Sequence, residues 1–228
     1  MTYWQDDTPA EAEFVVPEDV VDVAYRMQCR ELPVDHIHGL CSALHAVLPW
    51  LRTESSAGVH PIYGAASGNG WQRPQQPDAA LHLSRRTRLK LRVPAHRLGE
   101  SRALVGRRLR IAGRDLGVGE LTVKLMSTSA TLYARYVASD RAHDEECFLA
   151  EAAMQLGGMD VPAVRMLAGR LYSLKSPSGP ISVRSLMVAG LSPAESIRLQ
   201  QRGLGWGRAF CCGVFVPHRG IEPVGQPT

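Results

Sequence analysis

Of the eight histidines in this 228-residue chain, four lie close together: His36, His38, His45 and His60. Imidazole titrates near neutral pH, so a positioned histidine can take a proton from a hydroxyl or return one to a leaving oxygen. On a helix at about 100° per residue, His36 falls at the edge of the apolar stripe in the first turn. His38 and His45 project from the opposite face, so the three cannot line one site. His36 also gains from a helix N-terminus, whose partial positive charge disfavours imidazolium and keeps a neutral base available. His60, in the segment GVHPI, is a third candidate for the same role. The competing readings are surface histidines for His36 and His45, and a strand-end cap for His60. His82, His96, His143 and His218 lack a neighbouring constellation and read as solvated. Ser42 and Tyr63 are possible donors beside them, although a helical serine usually bonds its own backbone.

A second feature is cationic. In SIRLQQRGLGWGRAFCCGVFVPH, Gly203, Gly205 and Gly207 alternate while Arg198, Arg202 and Arg208 surround the bend. Glycine permits positive φ and lets backbone N–H groups approach a large anion. A helix precedes this loop, whereas the GxGxxG fingerprint needs a strand before and a helix after it; a flexible turn is the competing reading. Eleven cations between Arg85 and Arg114 face Glu100 alone. Residues 87–93 alternate Leu89, Leu91 and Val93 with Arg88, Lys90 and Arg92, which predicts a strand with a cationic face. Arg85, Arg86, Arg88, Lys90 and Arg92 are therefore candidates for phosphate contacts. Of 26 cationic side chains, only Lys90, Lys124 and Lys175 are lysines, and arginine suits bidentate phosphate contacts and stacking on bases. Trp206 in the loop and Trp71 could stack on an unpaired base. No carboxylate cluster suited to two metal ions lies near these segments. Five scattered cysteines form neither CxxC spacing nor a disulfide framework and read as reduced core residues. No metal or cofactor is expected.

These side chains need a scaffold. Residues 1–17 read as a loose acidic arm without the apolar segment of a signal peptide, and no window reaches membrane-spanning length. A cytoplasmic protein with no membrane partner is expected. Val21, Val23, Tyr25 and Met27 alternate as a strand, and Ile37, Leu40, Leu44, Val47, Leu48 and Leu51 recur at helical spacing, with Pro49 near the end. A short strand at 58–64, a Gly/Pro/Gln-rich loop, the strand at 87–93, a helix at 94–105 and strands at 108–111 and 117–123 follow. Strand, helix, two strands, helix, strand is the ferredoxin-like order. Residues 132–138, 145–156, 170–175, 181–188, 193–202 and 210–216 repeat it more loosely, without residue-level repetition. The expected class is α+β: two tandem ferredoxin-like, RRM-like domains at 18–125 and 126–228.

Three segments, VDHIHGLCSALHAVLPWL, GVHPIYG and LQQRGLGWGRAFCCGVFVPH, resemble the crRNA-processing endoribonucleases of CRISPR systems, within the RAMP superfamily, especially the short type I forms. The resemblance implies two ferredoxin-like domains closing on a glycine-rich loop. It implies metal-independent cleavage of a CRISPR repeat RNA hairpin at its 3′ base. The 2′-hydroxyl would attack the adjacent phosphate, leaving a 2′,3′-cyclic phosphate and a 5′-hydroxyl. The product would stay bound, and other subunits of a type I effector complex would be partners. His36 aligns with an Asp-His pair of the subfamily, the segment around His45 resembles the catalytic helix of the type I-F relatives, and other members carry the histidine where His60 stands. Two rivals are a non-catalytic crRNA-binding subunit of the same superfamily and an unrelated tandem RNA-recognition module. The latter stacks bases on aromatics of its central strands, where Leu83, Arg85, Leu89 and Leu91 stand here.

Overall fold

The computed structural model describes residues 14–64, 79–162, 165–176 and 178–218. The first half contains strands β1 (Val20–Gln28), β2 (Glu31–Pro33), β3 (Gly58–Val59), β4 (Ala80–His82), β5 (Arg88–Pro94), β6 (Arg108–Ile111) and β7 (Arg114–Lys124), with helices α1 (Ile37–Val47) and α2 (Leu98–Ser101). The second half contains β8 (Thr131–Ala138), α3 (Glu145–Gly157), β9 (Arg165–Leu174), β10 (Ile181–Ala189), α4 (Pro193–Arg202) and β11 (Val216–Pro217). The first sheet runs β3-β5-β1-β7-β6 and the second β11-β8-β10-β9. All pairings are antiparallel.

Counting strands within each half, both sheets have the order four, one, three, two, with β6 added at the edge of the first. This is the ferredoxin-like arrangement in duplicate, as the strand and helix spacing predicts. The alternation in β5 places Leu89, Leu91 and Val93 in the core. The helix expected at 37–51 ends at Val47 because Pro49 cannot continue it, and Pro49–Arg52 forms a 3-10 turn instead. Asp144 caps α3 through the Cys147 amide, and Ser192 with Glu195 forms a reciprocal cap on α4.

Three expectations fail locally. The helix at 94–105 is broken into 3-10, α and 3-10 turns. The strand at 58–64 keeps only Gly58–Val59. The closing strand expected at 210–216 is reduced to Val216–Pro217, because Cys211 and Gly213 adopt left-handed φ of 64° and 63° and turn the chain inward. A small sheet of β2 with β4 had no alternation long enough to predict it.

The expected division at 125/126 passes between the two sheets, yet the larger core runs across it. Leu40, Cys41 and Leu44 of α1 share one buried cluster with Ala138, Ile181 and Val183 of the second sheet and Cys211 and Cys212 of the C-terminal loop. A separate cluster packs Leu132, Ala134, Leu186 and Val188 beneath Phe148 and Leu156 of α3 and Leu199 of α4.

The loop glycines belong to this packing. Gly203, Gly205 and Gly207 have φ of 69°, 69° and 78°. A Cβ on Gly203 would strike the Gly213 carbonyl and one on Gly205 the Ala138 carbonyl, so the close approach they permit is to the chain's own backbone. Gly205→Ala should lower stability by at least about 1–2 kcal/mol, the left-handed penalty of an L-residue, and the collision adds to it. Denaturant unfolding of the two proteins measures the difference.

Candidate active site

His36 is the residue from which α1 starts, and its ring is buried. Its Nδ1 lies 2.9 Å from the Pro33 carbonyl, which can only accept, so Nδ1 carries the hydrogen. In the neutral ring the lone pair is then on Nε2. His36 lines a small pocket at the seam between the two halves, with a cavity volume of about 10 Å³, room for about one water. Val34, Ile37, Pro61 and Ile62 form its first-half side, and Arg135 and Tyr136 of β8 the other. The Arg135 guanidinium stands 5.5–5.7 Å from the ring centroids of Tyr63, Tyr136 and Tyr172. Its Nε donates to the Tyr136 hydroxyl at 3.1 Å. Burial pushes the Tyr63 phenol upward, so it stays protonated at neutral pH. Lys175 at the end of β9 pairs with Asp35 at 2.8 Å, bringing a further cation to the same seam.

The other two candidate histidines are also buried, and each is held by a hydrogen bond. His45 does not project from the solvent face; it is buried, donates from Nε2 to the Ala209 carbonyl at 3.1 Å, and packs edge-on against Phe210. The reason is that the C-terminal loop covers the face of α1 that a helical wheel leaves open. Burial and then Arg52 hold its pKa below the ordinary value, only partly offset by Ala209. His60 is buried at the end of β3, where Nε2 meets Asp22 Oδ1 at 3.1 Å. Burial lowers its pKa despite that carboxylate.

Several expected phosphate contacts are also occupied. Arg92 is fully buried instead of exposed on the cationic face. It holds Asp22 with Nε and Nη2 at 2.9 and 3.1 Å and donates to the Gln200 carbonyl of α4 at 2.7 Å. Arg208 donates to the carbonyls of Ala57, Ser56 and Gln201, and Arg198 to those of Met159 and Asp160. Arg92 and Arg208 knit backbone together because α4 and the loop fold back onto the first half, while Arg198 ties α4 to the turn after α3; local sequence reveals neither. Arg85, Arg86, Lys90, Arg202 and Trp206 remain exposed, and Arg88 is half-buried over the Arg85 and Thr87 carbonyls. Trp71 lies outside the described residues. His82, His96, His143 and His218 are exposed as expected, and Ser42 points to solvent. Among the described residues, no group of three His, Cys, Asp or Glu could hold a metal ion, and no helix is long and apolar enough to cross a membrane. No cysteine forms a disulfide among the described residues.

The family described as Cas6 CRISPR matches residues 21–220. The chain belongs to the Cas6 family. A CRISPR-associated endonuclease Cas6 from Myxococcus xanthus (strain DK1622) is 32% identical over 197 residues, covering 86% of this chain and 81% of that protein. In fold, the chain resembles a solved CRISPR-associated Cas6 protein (TM-score 0.59, 9% identity, 88% and 100% of the two chains). It also resembles a Cas6-related protein from Pyrococcus furiosus (TM-score 0.60, 13% identity, 86% and 97%). A RAMP protein described as binding different RNA substrates aligns at a TM-score of 0.56 with 13% identity, over 86% and 97%. Membership in Cas6 sets aside the reading as an unrelated tandem RNA-recognition module.

Sequence reasoning missed Arg135, Tyr136 and Lys175 in this Cas6 chain. YAR in a mid-chain strand carries no motif, and only the packing of β8 against the start of α1 gives it meaning.

The buried charges make stability depend on pH. Burial raises the Asp22 pKa, but His60 and Arg92 outweigh it and hold the carboxyl well below the ordinary carboxylate range. His45 and His60 are likewise shifted down. A depressed folded pKa means stability present above the unfolded value and lost as pH falls below it. Unfolding free energy should therefore fall from about pH 7 as the histidines charge, then again below about pH 4 as Asp22 protonates. Denaturation at stepped pH tests this, and Asp22→Asn should flatten the lower limb while costing about 3–5 kcal/mol at neutral pH.

Proposed function

We propose that this Cas6-family chain is a metal-independent endoribonuclease that cuts CRISPR repeat RNA, with His36 as its proton-transfer residue. One observation carries the reading: buried His36 and Arg135 line the same small pocket at the seam, an imidazole and a cation on its two walls. The 2′-hydroxyl would give its proton to imidazole Nε2 as its oxygen attacks phosphorus. The bond from phosphorus to the 5′ oxygen then breaks, and that oxygen takes up a proton. A 2′,3′-cyclic phosphate and a 5′-hydroxyl result. Arg135 offsets charge on the non-bridging oxygens, and a cation already aimed before the reaction needs no reorganisation. Tyr63, kept protonated by burial, can serve as a donor beside it.

The first turn of α1 has no side-chain cap, so its amide dipoles add favourable potential for a phosphate there. Arg85, Arg86, Lys90, Arg202 and Trp206 remain available to grip the hairpin, whose A-form stem is read mostly through backbone and shape. The glycines of the loop contribute by shaping it. Retention of the product within a type I effector complex is consistent with that cationic surface.

In EDTA, the purified chain should cut a CRISPR repeat hairpin RNA, and His36→Ala should lower kcat by about 10²–10⁴-fold, the usual size of an acid–base contribution, with affinity retained. Single-turnover cleavage and separate binding measurements check both parts. Full activity in His36→Ala would move the role to another residue, and hairpin binding without cleavage by the unmodified chain would make it a non-catalytic crRNA-binding subunit.

A further inference from the structure

The second sheet has two unlike faces. Leu132, Ala134, Leu186 and Val188 point into the core under α3 and α4. Their neighbours along each strand point the other way, and strand register sets Val216, Tyr133, Met187 and Leu167 side by side across β11, β8, β10 and β9. None of these four belongs to a core cluster. Leu167 is 59% exposed, and the other three are half-buried. One step along the strands, Thr131, Ala189 and Arg165 form a second row on the same face. His218 joins it through its amide to the Thr131 carbonyl, and its ring lies 5.5 Å from that of Tyr133. One step the other way is Arg135, which lines the His36 pocket.

This surface is therefore continuous with the cleft. It carries aromatic rings, apolar side chains and two arginines, and neither row contains an acidic residue. From Arg135 to Thr131 it spans about 13 Å at 3.3 Å per residue, which suits the two or three bases that sheets of this kind stack. The first sheet differs: its outward face is cationic without such rings, and Arg92 ties one end of it to α4.

We propose that this face of the second sheet is a stacking platform for single-stranded RNA contiguous with the His36 pocket. Tyr133 is the central ring, Met187 and Leu167 extend the apolar floor, and Arg135 and Arg165 meet phosphates at the two ends. The proposal rests on the reading of the chain as an RNA-processing enzyme and deepens it, assigning the unpaired part of the substrate a place separate from the hairpin stem.

Fluorescence anisotropy of the full chain with labelled ten-nucleotide oligouridine tests it. Tyr133→Ala should weaken binding about 5- to 100-fold, the range for loss of one stacked base. Tyr133→Phe should retain it, and Met154→Ala, an exposed change on α3, should leave it unchanged. With the unsubstituted chain, 4-thiouridine placed in the oligomer should crosslink to peptides of β8 and β10. Unchanged affinity in a folded Tyr133→Ala variant, or crosslinks confined to residues 85–90, would overturn the platform while hairpin cleavage left the enzymatic reading standing. A stable dimer that Leu167→Arg dissociates would assign the face to a second copy and likewise overturn the proposal. Failure of the unsubstituted chain to bind hairpin RNA at all would instead remove the reading underneath.

Discussion

Arg92 and Arg208 hold the two halves of the molecule in register. Arg92 leaves the first sheet to meet the last turn of α4, and Arg208 leaves the C-terminal loop to meet the segment before β3. Both spend their N–H groups on carbonyls that α4 and the loops cannot satisfy internally, at Gln200, Gln201, Ala57 and Ser56. Asp22 neutralises part of that buried charge, and His60 completes its hydrogen bonding. Removing one member of such a pair leaves an uncompensated charge, which typically costs more than the pair contributes. The seam pocket lies between the same two halves, where Arg135 and Tyr136 of β8 meet the start of α1.

The same clamp explains how much of the molecule was legible beforehand. Periodicity reveals strands and helices with one wet face, so β1, β5, α1, α3 and α4 could be read, and with them the duplicated order. It fails where tertiary packing sets the conformation. Residues 210–216 are apolar and β-branched enough to suggest a strand, but Cys211 and Gly213 turn them into the core. Arg92 sits in alternation with Arg88 and Lys90, and nothing local distinguishes the one buried beneath α4 from half-buried Arg88 and exposed Lys90. His45 was misplaced for a related reason, since a helical wheel has no knowledge of a loop 164 residues later in the chain.

At the candidate site, the histidines were visible in the sequence as a type and a neighbourhood. His36 stood out because it begins a helix. The cation across the pocket from it did not, since Arg135 lies 99 positions away on a strand without a motif. The glycine-rich loop illustrates the converse. Its conspicuous spacing suggested an anion cradle, and its positive φ values are real, yet the atoms it approaches are the carbonyls of Ala138 and Gly213. Conspicuous backbone and conspicuous chemistry need not coincide.

Because α1 shares one buried cluster with β8, β10 and Cys211 and Cys212 of the C-terminal loop, the halves are duplicated in topology but not in independence. A chimera joining either half to that of a distant relative would expose matched apolar surfaces cut for a different counterpart. Recombination at the midpoint is accordingly a poor route to new specificity for this scaffold, and variation is confined to side chains on surfaces the common interior does not use.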